Sequence, residues 1–214
     1  MTRRTHINSS GKVAGYVLAG GGSTRFGLDK ALAEIGGKPM IMRMCELLRV
    51  VAKEVIVVAA PEKYAEFGFR IVPDRWPGEG PLGGIVTALL DTQRSDPRCE
   101  WNLIVSCDMP FLTGDWLEFL TVRAANSAAQ VMLPQSAQGP EPLCACWRTD
   151  SLGTLRQAFE GGVRKVTEAL KHVTTEVLDE ADWKRFDSAG RLFWNMNTVA
   201  EYEEARRILE AERS

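Results

Sequence analysis

Short apolar runs alternate with amphipathic stretches along most of this chain. The pattern predicts strands near 13 to 18, 54 to 59, 69 to 72, 102 to 106, 130 to 133 and 142 to 147. It predicts helices near 39 to 51, 82 to 93, 114 to 125, 149 to 159, 164 to 171 and 199 to 212. Val55-Ile56-Val57-Val58 and Leu103-Ile104-Val105 are continuous apolar runs, as expected of central strands with no face left to water. Strands and helices that alternate in this way predict an α/β fold, a three-layer αβα arrangement around a mostly parallel central sheet. Ligands bind such sheets in the crevice beyond the carboxyl ends of the strands, so the loops that follow strands are where chemistry is expected.

A length of 214 residues suits one core. The expected organisation is a frayed tail over residues 1–12, polar and without periodicity, followed by a single domain over 13–214. Hydrophobic residues at 45% and charged ones at 25% are the balance of a globular protein rather than a disordered one. The formal charge of -2 provides no basic field for nucleic acid, and the apolar runs are far too short for a bilayer. With no signal-peptide core at the N-terminus, the expected location is cytoplasmic. Cys45, Cys99, Cys107, Cys144 and Cys146 are scattered; Cys144 and Cys146 share one side of a strand but lack a second pair to complete a thiolate metal site. Buried, reduced thiols are expected.

The strongest local signal follows the first strand, where Val13 to Leu18 runs into Ala19-Gly20-Gly21-Gly22-Ser23-Thr24-Arg25-Phe26-Gly27-Leu28-Asp29-Lys30. Consecutive glycines admit backbone conformations that turn successive N–H groups inward around phosphate oxygens. A glycine-rich turn alone could simply join strand to helix; Arg25 and Lys30 add the positive charge that a triphosphate requires. The spacing fits neither the P-loop nor the dinucleotide fingerprint G-x-G-x-x-G.

The strand ending at Val105 leads into Ser106-Cys107-Asp108-Met109-Pro110-Phe111. An aspartate there points into the same crevice, and one carboxylate plus substrate phosphate oxygens is a usual way to hold magnesium. By chemistry alone Asp108 could also be a turn or N-cap residue before Pro110. Asp74, ahead of Gly80-Pro81-Leu82-Gly83-Gly84-Ile85, could be a pocket residue or a solvated loop residue. Arg164-Lys165 after Gly161-Gly162 places two cations near the start of a helix, a seat for an anion, although exposed pairs of this kind are usually solvated. In Asn195-Met196-Asn197-Thr198 the two asparagines would face one way if extended, while Thr198 with Glu201 forms a capping box for the last helix.

Taken together, Leu18-Ala19-Gly20-Gly21-Gly22-Ser23-Thr24-Arg25-Phe26-Gly27-Leu28-Asp29-Lys30, Gly37-Lys38-Pro39-Met40, the Gly80 loop, Cys107-Asp108-Met109-Pro110-Phe111, Pro140-Glu141-Pro142-Leu143 and Asn195-Met196-Asn197-Thr198 resemble, in order, the motifs of the MobA-type molybdenum cofactor nucleotidyltransferases. Phe26 and Met40 replace commoner apolar residues. Ala59-Ala60-Pro61 stands where some relatives carry an asparagine, so no nucleotide contact is assigned there.

The resemblance implies a Rossmann-like nucleotidyltransferase fold and transfer of GMP from GTP to molybdopterin or its molybdenum-loaded form. It implies nucleotide contacts from Leu18, Ala19, Gly20, Gly21, Lys30, Asp74 and Asp108, magnesium on Asp108, and catalytic roles for Arg25, Lys30 and Asp108. Arg164, Asn195 and Asn197 are the expected acceptor contacts, and other proteins of molybdenum cofactor synthesis are the expected partners. The Asn-x-Asn-Thr motif and the Gly80 loop favour guanylyl transfer over a cytidylyltransferase or sugar-phosphate nucleotidyltransferase of the same superfamily. A dehydrogenase would carry the dinucleotide fingerprint and an acidic residue about 20 positions on, and this loop carries Arg25 and Lys30 instead. Neither His6 nor His172 is needed.

Overall fold

The computed structural model describes residues 13–20, 29–187 and 189–212. In chain order its strands and helices begin with β1 (Val13–Leu18), β2 (Glu34–Ile35), β3 (Lys38–Pro39), α1 (Met40–Leu48), β4 (Glu54–Val58) and β5 (Arg70–Val72). They continue with α2 (Pro81–Ser95), β6 (Trp101–Ser106), α3 (Gly114–Ala125), β7 (Val131–Ser136), β8 (Gly139–Pro140) and β9 (Cys144–Arg148). The last are α4 (Leu152–Glu160), α5 (Val166–Ala169), β10 (Thr175–Leu178), α6 (Glu180–Trp183) and α7 (Val199–Ala211).

The main sheet runs β10-β7-β9-β6-β1-β4-β5, with β8 paired to β7. Its centre is parallel: β1 pairs β4 on one side and β6 on the other, and Leu18 lies opposite both Val58 and Ser106. Alternate residues of these strands enter two separate cores. Val17, Val57, Leu103 and Val105 pack with α1, α3 and α7, whereas Tyr16, Leu18, Ile56 and Ile104 pack with α2, α4 and α5. That two-sided burial is why the strands read as continuous apolar runs. Gly15 permits the close approach of β1 to α1, since a methyl there would stand 3.0 Å from side-chain atoms of Leu48 and Ala52.

Several elements depart from the pattern expected of the sequence. β9 is antiparallel to both β6 and β7 rather than one more parallel strand. The expected helix over 149 to 159 is a 3-10 turn, Thr149–Ser151, followed by α4; that over 164 to 171 shrinks to α5 and a second 3-10 turn, Leu170–His172. β10, which no apolar run announces, is held by parallel pairing with β7. The five cysteines are free and buried. Among the described residues no helix is long and apolar enough to cross a membrane.

Candidate nucleotidyl-transfer site

The parallel strands β4, β1 and β6 all end at one rim, and the chain beyond each end contributes to the site. Cys107 N–H donates to the Leu18 carbonyl, and Ala19 N–H donates to that of Val58, so the ends of the three strands are tied together. Arg25 and Gly21 lie outside the described residues. Where the chain is described again, the Asp29 side chain accepts from Ala31 N–H and caps a 3-10 turn that begins at Lys30. Tyr64 fixes this junction through its hydroxyl, 2.7 Å from Asp29 Oδ2 and 3.3 Å from the Ala19 carbonyl.

The Lys30 ammonium is thereby aimed at Asp108: Nζ stands 3.1 Å from Asp108 Oδ2 and 2.9 Å from Asn197 Oδ1. Asp108 is not a helix cap, for Thr113 caps α3. Instead its Oδ1 accepts from the Ser106 hydroxyl at 2.6 Å, which fixes the carboxyl plane two residues after the strand. The Asp108 carbonyl accepts from Met196 N–H at 2.9 Å, and this bond brings the Asn195–Asn197 segment against the strand end. Thr198 and Glu201 form the expected capping box, and Glu201 also accepts from Asn197 N–H. Those N–H bonds, the one from Asn197 first, hold the Glu201 carboxyl below its ordinary range.

Two sides can be distinguished around Asp108. Toward β4 and β5, Asp74 Oδ1 accepts from Trp76 N–H and the Thr87 hydroxyl, and a methyl on Gly20 would lie 3.7 Å from Asp74 Oδ2. Leu18, Ala19, Gly20 and Asp74 therefore cluster where the glycine-rich segment leaves the sheet. Toward β9 and β7 opens a cleft of about 510 Å³, lined by Asp108, Glu141, Arg164, Lys165, Asn195 and Asn197 and also by Gly80 and Pro81 at the start of α2. Arg164 reaches this cleft with its guanidinium engaged: it pairs with Glu79, donates to the Phe159 carbonyl at 2.7 Å and stacks 4.2 Å over the Phe159 ring. α5 is only one turn long, and Lys165 at its start is the more exposed of the two cations. Asn195 lines the cleft and donates from its side-chain amide to the Phe193 carbonyl at 3.2 Å.

Two participants escaped the sequence pattern. Ser106 precedes Asp108 by two residues, but nothing in its identity announces that its hydroxyl buttresses the carboxylate. Glu141 sits between two prolines and is buried, and only the fold shows it facing the cleft.

The description "MobA-like NTP transferase domain" matches residues 15–174. The chain belongs to the MobA-like NTP transferase family. Among its relatives, a protein of Pelotomaculum thermopropionicum named probable molybdenum cofactor guanylyltransferase is 30% identical over 204 residues, 95% of this chain and 96% of that one. A molybdenum cofactor guanylyltransferase of Syntrophotalea carbinolica is 29% identical, covering 89% of each chain. The crystal structure of molybdopterin-guanine dinucleotide biosynthesis protein A from Archaeoglobus fulgidus superposes with a TM-score of 0.79 at 25% identity, covering 92% of this chain and 99% of that one. The Rossmann-like fold with its mostly parallel sheet is thus shared with nucleotidyltransferases.

Proposed function

We infer that this protein is the guanylyltransferase of molybdenum cofactor synthesis, transferring GMP from GTP to molybdopterin or its molybdenum-loaded form. The observation that carries the reading is the convergence of Lys30, Asp108 and Asn197 from three distant parts of the chain at the carboxyl rim of the sheet. A terminal phosphate oxygen of the acceptor attacks the α-phosphorus of GTP in line. The new P–O bond forms as the bond from the α-phosphorus to the bridging oxygen breaks, and pyrophosphate departs.

This chain's residues do the positioning. Leu18, Ala19, Gly20 and Gly21 hold the nucleotide with Asp74 on the β4–β5 side, while Arg25 and Lys30 take up the negative charge of the departing phosphates. Asn195, Asn197 and Arg164, all lining the cleft, hold the acceptor. Asp108 is the residue that would hold magnesium. Its fit is supported by the Lys30 ammonium, a cation already resting between side-chain oxygens of Asp108 and Asn197. One carboxylate with substrate phosphate oxygens and waters is a usual way to hold magnesium. Bound there, magnesium would neutralise charge shared by the nucleophile and the leaving group. With phosphates bound, Lys30 would exchange its bond to Asp108 for bonds to phosphate oxygens, leaving the carboxylate able to hold the metal.

Thermal unfolding with each nucleotide and magnesium tests the reading, since a ligand at 100 times its Kd stabilises by about 2.7 kcal/mol. GTP with magnesium is expected to raise Tm, and CTP, ATP and NAD to leave it near its unliganded value. A response to NAD, or to CTP in preference to GTP, would contradict it.

A further inference from the structure

Glu141 is a buried carboxyl in the cleft that the chemistry above leaves unused. It is only 8% exposed. The Ser136 hydroxyl donates to Oε1 at 2.6 Å, and Glu141 N–H donates to the Pro134 carbonyl at 2.9 Å. Among the described residues nothing donates to Oε2 and no Lys or Arg pairs with the carboxyl. Burial accordingly pushes it above the ordinary carboxylate range. A carboxyl that lines a cleft with one oxygen held and the other unmatched is poorly satisfied in the unliganded protein.

Its position selects the ligand it would meet. The sheet order puts β1, β4 and β5, with Gly20 and Asp74, on one side of the strand that carries Asp108; β9 and β7, with Glu141 and Ser136, lie on the other. Glu141 therefore faces the acceptor side. A carboxylate repels the acceptor's phosphate, so it must meet a part of that molecule that presents donors. A pterin does so at its 2-amino-4-oxo ring, where N3–H and the 2-amino group offer two parallel N–H bonds, the complement of a carboxylate. Met109, Pro142 and Leu143 add apolar lining suited to a flat bicycle.

We propose that Glu141 selects the acceptor by taking the N3–H and 2-amino N–H of its pterin ring as a bidentate pair, with Ser136 fixing the carboxyl plane. The inference rests on molybdopterin being the acceptor. Guanine carries the same donor edge, so the two nucleophile-side and nucleotide-side affinities must be read separately.

Glu141→Gln keeps the shape and the bond to Ser136 but puts an amide N–H₂ where one acceptor oxygen stood. Steady-state kinetics should show an acceptor KM raised by about tenfold or more, with the KM for GTP unchanged, as expected when a site built for a donor pair loses one match. Phosphorylated 6-hydroxymethylpterin should compete with the acceptor on the wild-type protein about tenfold better than its 2-oxo counterpart, the lumazine. Glu141→Gln should narrow or invert that preference, because a glutamine amide matches the lumazine edge. The wild-type comparison stands alone should the variant fold poorly. An unchanged acceptor KM, a raised KM for GTP, or no preference between the two competitors overturns the role of Glu141 and leaves the guanylyltransferase reading intact. If the wild-type protein transfers GMP to no pterin, both readings fall together.

Discussion

Removing the Lys30 ammonium by Lys30→Ala separates a catalytic role from a structural one, because the two have different sizes. The ammonium lies 3.1 Å from Asp108 Oδ2, with the two side chains 17% and 15% exposed. Opposite charges about 4 Å apart attract by roughly 4 kcal/mol at an effective dielectric constant near 20, a gross figure that desolvation opposes. In the folded protein the loss is smaller, since Asp108 keeps its bond from Ser106 and the cleft admits water. The pair then falls near the upper end for solvated ion pairs, about 1 kcal/mol, or a Tm lowered by about 2–4 °C in a chain of this size. Catalysis should suffer far more. A preorganised group that meets charge developing in the transition state is worth about 2.7–4 kcal/mol, or 10²- to 10³-fold in kcat. The assay is pyrophosphate release with GTP, magnesium and molybdenum-loaded molybdopterin, paired with calorimetric unfolding. Arg156→Ala, which breaks the exposed Arg156–Glu160 pair on α4, serves as the control and should change neither readout appreciably. A kcat within about threefold of wild type for Lys30→Ala, or a Tm loss above about 10 °C, would refute the reasoning.

Three further outcomes follow from the same geometry. Asp108→Asn should lower kcat by about 10²- to 10³-fold and shift the magnesium dependence of the remaining rate to higher concentration, which a metal titration reads; an unchanged titration would remove Asp108 as the ligand. Thr198→Ala deletes half of the capping box and should cost about 1 kcal/mol in a denaturant titration, while raising the acceptor KM through the loosened Asn195–Asn197 segment. Burial raises the thiols of Cys45 and Cys144 to about 12 and also pushes up Cys99, Cys107 and Cys146. An unfolded thiol ionises near about 8.5, so above that pH the unfolded chain holds fewer protons than the folded one. Stability should therefore be fully present below pH ~8.5 and fall as pH rises from there toward about 12, a trend that denaturant midpoints across pH 7 to 11 would show.

The sequence was most informative where local pattern and tertiary role coincide. β4 and β6 flank β1 inside the sheet with both faces covered, and the uninterrupted apolar runs Val55–Val58 and Leu103–Val105 state that burial directly. Gly80-Pro81 opens α2 because proline suits the first helical turn, and Thr198 with Glu201 marks the start of α7 from four residues alone. β10 has no such signature: in Thr175–Leu178 only Leu178 is fully buried, and the strand exists through its pairing with β7. The direction of β9 was equally hidden, since residue periodicity is the same in parallel and antiparallel strands. At the site, the place of Asp108 at the rim was legible because it follows a central strand, whereas the link that Lys30 makes from it to Asn197, 89 residues later, needs the Met196 bond to the Asp108 carbonyl. Arg164 appeared as a free cation in the sequence; only the fold places Glu79 and Phe159 against it.

The most direct test is to incubate the purified protein with magnesium, molybdenum-loaded molybdopterin and each NTP in turn, and to weigh the product. GTP should yield the guanine dinucleotide form of the cofactor with one pyrophosphate released per transfer. A cytosine dinucleotide from CTP at equal or greater rate, or hydrolysis of GTP without transfer, would contradict it.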